Sequence, residues 1–480
     1  MDNVDIGFSP RLSFLSEGGK QKIHHAALQV LEETGMLLHH PGALARLKDA
    51  GCRVAEDNHV RVPAALVERA CASVPNGIRV YNREGELAMD LGGRRSYFGT
   101  GSDLMWSLES ETLTRRRTTL EDIATAARVC EALPNIDFIM SFAHPHELNP
   151  DLAYLASFRA MVENSTKPIV NTAKDRGDLQ AMWEIAKILR GGARALREKP
   201  YWIQYAEPIS PLKHPFASVD KLIFCAETGS PAIYSPAPIA GSTAPMTIAG
   251  HVVQGLAECF FGLVIHQLTA PGAPFLMGMG AAVLDMSTSQ CSYNAPEYLL
   301  AYMAMVEMSR YLDIPNWGYA GTSDSQIPDM QAGFEAGLET FMSALAGSNL
   351  NHDVGYLDFG LTGSLEMIVI SDEIIDLVRR LQKGVPVGDD SLALAVIPQG
   401  ARQGQFLTQP HTLKHLRKVQ WRPRLFCRQG YEKWAAEGRS DLLARARRRL
   451  QEILQGPAPR AVDAEKERAI AALVAGFKGD

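Results

Sequence analysis

The sequence predicts an α/β protein built on a (β/α)8 TIM barrel, with an N-terminal helical extension and a C-terminal helical tail. Short apolar runs, rich in aromatic and β-branched residues, alternate with longer amphipathic stretches, and eight such runs fall within about 270 residues. Most runs end in Gly, Ala, Ser or Pro near a polar or aromatic residue. A doubly wound sheet stays open, but barrel enzymes keep their sites on loops after strands, which favours the barrel. The runs are SYFGTG, DFIMSFA, PIVNTA, YWIQYA, PAIYSP, PFLMGM, PNWGYAG and VGYLDFG.

Residues 1–95 are predicted to form an N-terminal helical region. The stretch KQKIHHAALQVLEETG places Ile23, Ala27 and Leu31 at helical spacing and ends in Gly35, a residue favoured just after a helix. A second helix is predicted in PAALVERACASV. We interpret this region as a cap or an oligomerisation region, and we expect a homo-oligomer.

Residues 96–407 are predicted to hold the catalytic barrel, and residues 408–480 a basic helical tail. Within the barrel, Thr118 and Glu121 introduce the helix TLEDIATAARVCEAL as a capping box. The tail contains TLKHLRKVQWRPRLFCRQGYEKW and DLLARARRRLQEIL, and it is expected to pack on the barrel or on a second subunit. Its charges could contact an acidic partner, but we favour a solvated surface.

Composition and charge disfavour several classes of function. The chain has 480 residues, of which 46% are hydrophobic and 21% charged, as in an average globular protein. A net charge of -6 provides no field that would attract nucleic acid or an anionic membrane. The apolar stretch 256–279 is interrupted by Glu258, His266 and two prolines, so no membrane span is predicted.

The cysteines and the N-terminus favour a cytoplasmic protein. The seven cysteines are scattered and never form a C-x-x-C pair, which is typical of reduced core residues in a cytosolic chain. The first residues, MDNVDIGFSPRLSF, carry acids where an export signal carries a basic region followed by an apolar one.

The stretch GYAGTSDSQIPDMQAGFEAG, residues 318–337, places two carboxylates on a glycine-containing turn. PNWGYAG is predicted as a strand, TSDSQIPD as its C-terminal loop and the following residues as a helix. Asp324 and Asp329 are therefore expected over the mouth of the barrel, where loops commonly carry function. Asp329 could equally be the N-cap of the helix, whereas Asp324 is expected inside the mouth.

Aromatic and acidic residues recur at the predicted strand ends. Aromatic faces beside one or two anions suit a quaternary ammonium, which has no N–H to donate, because cation–π attraction replaces hydrogen bonding. The same aromatic residues could instead be ordinary core. The set comprises Phe98, Phe142, Tyr205, Tyr234, Trp317, Tyr319, Glu207, Asp324, Glu366 and His352.

Other chemistries leave no pattern in the sequence. No dinucleotide-binding glycine motif, nucleotide-triphosphate loop or serine-nucleophile elbow occurs at a suitable place. His144 and His146 form a close pair, but no Cys or His cluster supports them as zinc ligands. We interpret them as part of a polar loop and predict no metal site.

Three segments are similar to the trimethylamine methyltransferase family, in particular to its branch without pyrrolysine, which demethylates quaternary amines such as glycine betaine. They are GYAGTSDSQIPDMQAGFEA, NHDVGYLDFGLTGSLEMIVISDEIID and TLKHLRKVQWRPRLFCRQGYEKW. The second, residues 351–376, is the most specific, and the similarity runs over nearly the whole chain.

This resemblance implies a (β/α)8 barrel that passes a methyl group from a methylated amine to the cobalt of a corrinoid on a separate small protein. Relatives that use trimethylamine place pyrrolysine in or near residues 318–337, where this chain has only standard residues. The resemblance therefore implies a quaternary amine as substrate. No corrinoid-binding D-x-H-x-x-G motif occurs in the chain, so we expect it to bind no cofactor of its own.

Little catalytic machinery is expected for such a substrate. Its leaving group is a neutral tertiary amine, so the protein's share is to position the reactants and exclude water. His352, in the most specific segment, and Asp324 are the predicted catalytic residues, with Asp324 facing the substrate cation. His352 could position the corrinoid, orient the substrate, or be a core histidine bonded to backbone. The predicted substrate-binding residues are Phe142, Tyr205, Glu207, Tyr234, Trp317, Tyr319 and Glu366.

Two other classes of function stay open at this point. The chain could be a non-catalytic betaine-binding barrel, or an unrelated TIM-barrel lyase. A lyase would need a lysine at a strand end, and Lys167 and Lys174 are the only candidates near such an end.

Overall fold

The computed structural model describes residues 10–479. Residues 1–9 and residue 480 lie outside the described part, and with them most of the acidic N-terminal stretch that was interpreted as lacking an export signal. The described residues form a mixed α/β protein, which confirms the predicted class.

Helices surround short strands along most of the described chain. A π-helical turn, Val30–Thr34, extends the first helix up to Gly35, as the position of that glycine predicted. The α-helices are α1 (Glu17–Gln29), α2 (Pro41–Asp49), α3 (Ala64–Ser73), α4 (Leu120–Ala132), α5 (Pro150–Asn164), α6 (Arg176–Arg190), α7 (Ala193–Glu198), α8 (Phe216–Thr228), α9 (Ile248–Thr269), α10 (Pro296–Tyr311), α11 (Met330–Ala346), α12 (Leu365–Gln382), α13 (Asp389–Leu392), α14 (Ile397–Gln403), α15 (Pro410–Val419), α16 (Tyr431–Ala436), α17 (Leu442–Gln455) and α18 (Ala464–Gly476).

The strands are short, and five of them lie before residue 96, so the N-terminal region is less purely helical than predicted. They are β1 (Met36–Leu38), β2 (Arg53–Val54), β3 (His59–Arg61), β4 (Gly77–Tyr81), β5 (Leu87–Gly92), β6 (Tyr97–Phe98), β7 (Trp106–Leu108), β8 (Arg115–Arg117), β9 (Ile169–Asn171), β10 (Trp202–Ala206), β11 (Lys213–His214), β12 (Ala232–Tyr234), β13 (Phe275–Met277), β14 (Val283–Leu284), β15 (Cys291–Ser292), β16 (Trp317–Tyr319), β17 (Leu350–His352), β18 (Tyr356–Leu357) and β19 (Thr362–Gly363).

Two parallel sheets place the ends of their strands on one side of the fold. One has the order β9-β10-β12-β13 and the other β16-β17-β6, and in the second Tyr319 pairs with His352. Single parallel bridges join the segment around residues 138–139 to both sheets, at Gly99–Phe138 and Ile139–Ile169, and a third, Met277–Asn316, joins the two sheets directly. The continuous ladders do not form one closed sheet, and the eight-stranded barrel stays a prediction.

A small core lies between the two parallel sheets and is separate from the main core. The hairpin of β4 and β5 contributes four side chains to it, and the strands contribute the rest. Its members are Ile78, Val80, Met89, Leu91, Phe138, Met140, Val170, Ile203, Ile233, Leu276, Trp317 and Leu350.

Two local predictions were wrong. The run VGYLDFG is not a parallel strand, because the parallel strand is β17, and Tyr356–Leu357 instead pairs antiparallel with β19. The strand β17, with the sequence LNH, was not predicted because Asn351 is polar. The side-chain amide of Asn351 nevertheless donates to the Tyr97 carbonyl (3.0 Å) inside the fold. The capping box of α4 is formed by Thr119 and Asp122, one residue later than predicted.

The apolar helix α9 is a core element. By length and composition its 22 residues could cross a membrane, but 72% of its most apolar stretch is buried inside the fold. Glu258 on this helix accepts hydrogen bonds from Ser210 Oγ (2.6 Å) and the Leu212 amide (2.8 Å), which satisfies the carboxylate within the protein.

The C-terminal tail packs on the rest of the described chain. Helix α17 contacts α12 and α4, and α18 contacts α6. The carboxylate of Glu373 on α12 accepts hydrogen bonds from the consecutive amides of Arg424, Leu425 and Phe426, at 2.9–3.0 Å. These bonds hold the start of the tail against α12.

Candidate functional site

A cavity of about 350 Å³ lies at the ends of the parallel strands. Tyr205 belongs to β10, and Tyr319 and His352 are the last residues of β16 and β17. This volume is in the range of pockets that hold a small molecule. The lining residues are Ser102, Asp103, Met140, Tyr205, Glu207, Ala237, Ile239, Gly280, Ala282, Cys291, Tyr293, Tyr319, His352, Asp353, Tyr356 and Gly360.

Four tyrosines form much of the cavity wall. The ring centroids of Tyr293 and Tyr319 are 6.4 Å apart. The hydroxyl of Tyr205 donates to Glu207 (2.8 Å), and that of Tyr356 donates to the Ser102 carbonyl (2.6 Å). Burial raises the pKa of each of these hydroxyls, so all four rings are neutral at physiological pH.

Three carboxylates join the tyrosines. Asp353 is 6% exposed, and burial raises its pKa well above the usual range. Asp103 accepts a hydrogen bond from Ser102 Oγ (2.9 Å), and burial raises its pKa as well. Glu207 is solvent-exposed on the open side of the cavity. Such a wall of neutral rings and acids favours a cation.

His352 is a neutral imidazole with an assignable tautomer. Its Nδ1 lies 2.7 Å from the Gly318 carbonyl oxygen, which can only accept, so Nδ1 carries the proton. Burial lowers the pKa of His352 to about 3, and Nε2 is then an acceptor. Nε2 lies 3.3 Å from Asp353 Oδ1, and the ring stacks on Trp317 with 4.0 Å between centroids. These two atoms are therefore both acceptors unless Asp353 is protonated, in agreement with the direction in which burial shifts its pKa.

A glycine makes room for this pair. A Cβ atom at Gly101 would overlap the carboxylate of Asp353 and the ring of Tyr356. Because both contacts are far shorter than a van der Waals distance, any larger residue at this position would displace side chains of the cavity.

The structure brings four of the predicted site residues to the cavity and leaves five outside its lining. Tyr205, Glu207, Tyr319 and His352 line it. Trp317 lies behind His352, and the hydroxyl of Tyr234 bonds to His214 Nδ1 (2.8 Å) in the core. The five outside the lining are Asp324, Phe142, Tyr234, Trp317 and Glu366.

Asp324 supports the cavity wall from behind. Its carboxylate accepts hydrogen bonds from the Tyr293 amide (3.0 Å) and from Ser292 Oγ, and it lines a neighbouring pocket. Its own amide donates to Glu335 on α11 (2.9 Å). Asp329 is the N-cap of α11, with the Ala332 amide donating to its side chain (2.9 Å).

Phe142 and Glu366 pack against residues next to the cavity and do not line it. The Phe142 ring lies 6.1 Å from Tyr356 and fills the space beside Gly363. Glu366, in the first turn of α12, accepts hydrogen bonds from Ser110 Oγ and from Ser364 Oγ (3.2 Å).

Sequence reasoning missed Asp103, Tyr293, Asp353 and Tyr356. Asp103, Tyr293 and Asp353 lie on irregular segments outside the predicted strand ends, and Tyr356 was assigned to a parallel strand that it does not form. Asp353 carried a usable signal, since it directly follows His352 in the most specific segment. In the structure its backbone is left-handed (φ 74°), a conformation that Asp adopts more readily than most residues. Tyr293 carried none, because it follows a short hairpin that the sequence does not predict.

The metal and lysine candidates lie elsewhere. His144 and His146 have ring centroids 5.4 Å apart, and no third metal-binding side chain within 10–479 joins them. The group that meets ligand spacing in this part of the chain is Asp390, His411 and His415 near the surface. Lys167 donates to three backbone carbonyls, and Lys174 pairs with Asp151 (2.8 Å). Neither lysine lines the cavity.

Comparisons with known proteins agree with this geometry. The family model described as trimethylamine methyltransferase (MTTB) matches residues 6–478. A glycine betaine methyltransferase of Desulfitobacterium hafniense strain Y51 is 30% identical over 97% of this chain and 97% of its own length. The trimethylamine methyltransferase MttB of D. hafniense strain DSM 10664 / DCB-2 is 29% identical over 91% of this chain and 88% of its own.

Two solved structures share the fold. The monomethylamine methyltransferase MtmB of Methanosarcina barkeri matches 98% of this chain and 89% of its own, with a TM-score of 0.52 and 10% identity. The hydroxylamine complex of MtmB matches 96% and 88%, with a TM-score of 0.51 and 12% identity.

Proposed function

The chain belongs to the trimethylamine methyltransferase (MTTB) family and is a methyltransferase, and from this premise we propose that it moves a methyl group from a quaternary amine, such as a betaine, to the Co(I) of a corrinoid carried by a separate protein. The observation that carries the amine assignment is the cavity wall of four tyrosines and three carboxylates. A quaternary ammonium cannot donate a hydrogen bond, so aromatic faces and negative charge are the groups that recognise it.

The reaction needs little from the protein beyond position. The Co(I) electron pair attacks a methyl carbon and forms the new Co–C bond, while the C–N pair returns to nitrogen and a neutral tertiary amine leaves. The cavity orients one methyl group outwards and excludes water from the cation. The neutral tyrosines and the neutral His352 fit such a role, because nothing has to be protonated.

His352 and Asp324 are proposed to act through their neighbours. His352 holds Asp353 at the cavity wall, and Asp324 fixes the backbone of Tyr293. The predicted contact between Asp324 and the cation has no direct geometric support, because Asp324 is outside the lining. The positioning of Tyr293 is the role that its hydrogen bonds support.

We propose that the eight parallel segments together form a (β/α)8 barrel. The three single bridges support this proposal, since they lie at the gaps between the two parallel sheets. The small inner core supports it too, because alternate side chains of the strands converge there above the hairpin of β4 and β5, as in a filled barrel.

The open side of the cavity is proposed to receive the corrinoid partner. Exposed apolar side chains lie on the same loops as lining residues, including Ile209 two residues after Glu207, and Leu361 next to Gly360. Met246 and Met286 meet beside Gly241 on neighbouring loops and are 54% and 65% exposed. Exposed apolar patches of this kind mark interaction surfaces. We further propose a cytoplasmic homo-oligomer that binds neither nucleic acid nor membrane.

A direct assay tests the proposal. The protein is incubated with free Co(I)-cobalamin and tetramethylammonium, choline, glycine betaine or trimethylamine, and the visible spectrum is followed for methyl-Co(III). We expect transfer from at least one quaternary amine, none from trimethylamine, and no loss of activity with a chelator of divalent metals. Absence of transfer from every quaternary amine, or comparable transfer from trimethylamine, contradicts the proposal.

A further inference from the structure

Acidic side chains around the cavity are not matched by lysine or arginine. Asp103, Glu207 and Asp353 line it, whereas the lining contains no lysine or arginine among the residues that the structure describes. His352 adds no positive charge, because its imidazole is neutral with Nε2 as an acceptor. A bound molecule therefore meets acidic groups on several sides and no cationic side chain.

The ammonium group that interacts with two of these carboxylates is bonded outside the cavity. Lys221 on α8 interacts electrostatically with Asp103 and Glu207, but its Nζ donates to the Ala173 carbonyl (2.7 Å) and it does not line the cavity. It offsets part of the charge of the two carboxylates from behind. It offers no donor to a ligand inside.

The carboxylate of a betaine would meet tyrosine hydroxyls but no cationic side chain here. In a betaine only a few carbons separate the ammonium from the carboxylate, so placing the ammonium against the tyrosines also brings the carboxylate within the ring of acids. Each of these acids that is ionised repels the carboxylate, and neutral hydroxyls replace only part of the hydration that a carboxylate loses on burial. A ligand with net positive charge meets neither penalty.

We propose that the cavity selects a quaternary ammonium that carries no carboxylate, with a neutral or hydroxylated fourth substituent, over a zwitterionic betaine. This inference rests on the proposed function and narrows its substrate class. It follows from the presence of three acidic side chains in a lining that has no lysine or arginine, within the described residues. A hydroxyl on the fourth substituent gains donor contacts with the carboxylates.

Binding of four ligands that differ in charge tests the inference. Calorimetry at pH 8 compares tetramethylammonium, choline, glycine betaine and the methyl ester of glycine betaine, which keeps the skeleton but removes the negative charge. We expect choline and the ester to bind at least tenfold more tightly than glycine betaine. Equal or tighter binding of glycine betaine overturns the inference.

A variant of Glu207 tests whether the acidic side chains cause the preference for choline over glycine betaine. Glu207→Gln should weaken choline binding and narrow the ratio between choline and glycine betaine, whereas Glu56→Gln, which removes an exposed acid of the N-terminal region, should leave the ratio unchanged. An unchanged ratio in Glu207→Gln counts against the inference. Methyl transfer to Co(I)-cobalamin distinguishes failure of this inference from failure of the proposed function. Efficient transfer from glycine betaine alone overturns only this inference. Transfer from no quaternary amine overturns the proposed function as well.

Discussion

At the scale of single residues, the contact between His352 and Asp353 sets the charge of the cavity. Nδ1 of His352 carries a proton toward Gly318, so its Nε2 and the Asp353 carboxylate are two acceptors 3.3 Å apart unless Asp353 holds a proton. Burial raises the pKa of Asp353 and lowers that of His352, which agrees with a neutral pair. A cation beside Asp353 favours its ionised form.

Cation binding should therefore depend on pH. Below the raised pKa of Asp353 the carboxyl is neutral, and above it the carboxyl is charged, so affinity for a quaternary ammonium should rise as pH rises through that pKa. Asp103 has the same sign of shift and contributes in the same direction. Calorimetry in buffers of different ionisation enthalpy should show a proton released on binding. Affinity that is independent of pH between 5 and 9 contradicts this assignment.

Asp353→Asn isolates the contribution of this residue. The amide can still donate to His352 Nε2, so the packing is kept while the charge is lost. We expect about fivefold weaker binding or more at pH 8, since a desolvated charge near a cation contributes roughly 1 kcal/mol or more, and a smaller release of protons. Asp358→Asn, on the same segment but outside the lining, should retain wild-type binding and proton release.

At the scale of elements, the loop after β16 shapes the cavity through the hairpin of β14 and β15. Asp324 accepts from Ser292 Oγ and from the Tyr293 amide, and Glu335 and Glu339 of α11 accept from the loop itself. The loop is thus bonded to the hairpin on one side and to α11 on the other. Tyr293 owes its place in the wall to these bonds.

Asp324→Asn should weaken cation binding by loosening Tyr293. The amide keeps one acceptor oxygen but replaces the other with a donor, and lost hydrogen bonds of this kind each contribute about 1 kcal/mol. A double-mutant cycle with Ser292→Ala, read by calorimetry, should give non-additive losses because both residues act through one network. Additive losses would favour direct contact between Asp324 and the cation. Asp329→Asn is the matched control, since Asn caps a helix as well as Asp does.

The sequence could predict elements where pattern and burial agree. Helices α1, α3 and α11 and the strands β9, β10, β12, β13 and β16 fall within predicted segments because their apolar residues face the core. β17 was not predicted because it contains the polar Asn351, which is hydrogen-bonded inside the fold to the Tyr97 carbonyl and to the hydroxyl of Tyr302. Asp103 and Tyr293 were not predicted as cavity residues because their positions depend on contacts between loops distant in sequence, which hydrophobic periodicity does not encode.

At the scale of the whole molecule, one segment lacks partners for its apolar side chains. Between residues 385 and 419 the helices α13 to α15 bury little, and Leu407 and Leu413 are 80% and 72% exposed. The rest of the tail, in contrast, is bonded to α12 through Glu373. Such an exposed apolar surface is unusual for a monomer and is typical of an interface.

We expect this segment to form the interface of a homo-oligomer. Leu413 and Leu416 lie three residues apart on α15, so they share one face, and both are exposed in the described chain, Leu413 by 72% and Leu416 by 39%. The double variant Leu413→Glu with Leu416→Glu places charges on that face and should yield a smaller species by size-exclusion chromatography with light scattering, because burying unpaired carboxylates is unfavourable. Lys418→Glu, an exposed charge change on the same helix, should keep the wild-type mass. Since no residue of α15 lines the cavity, methyl transfer per subunit should survive in the double variant. A monomeric wild-type protein would contradict the prediction. If the double variant kept the wild-type mass but transferred methyl groups poorly to a corrinoid protein and normally to free cobalamin, this face would bind the corrinoid protein instead.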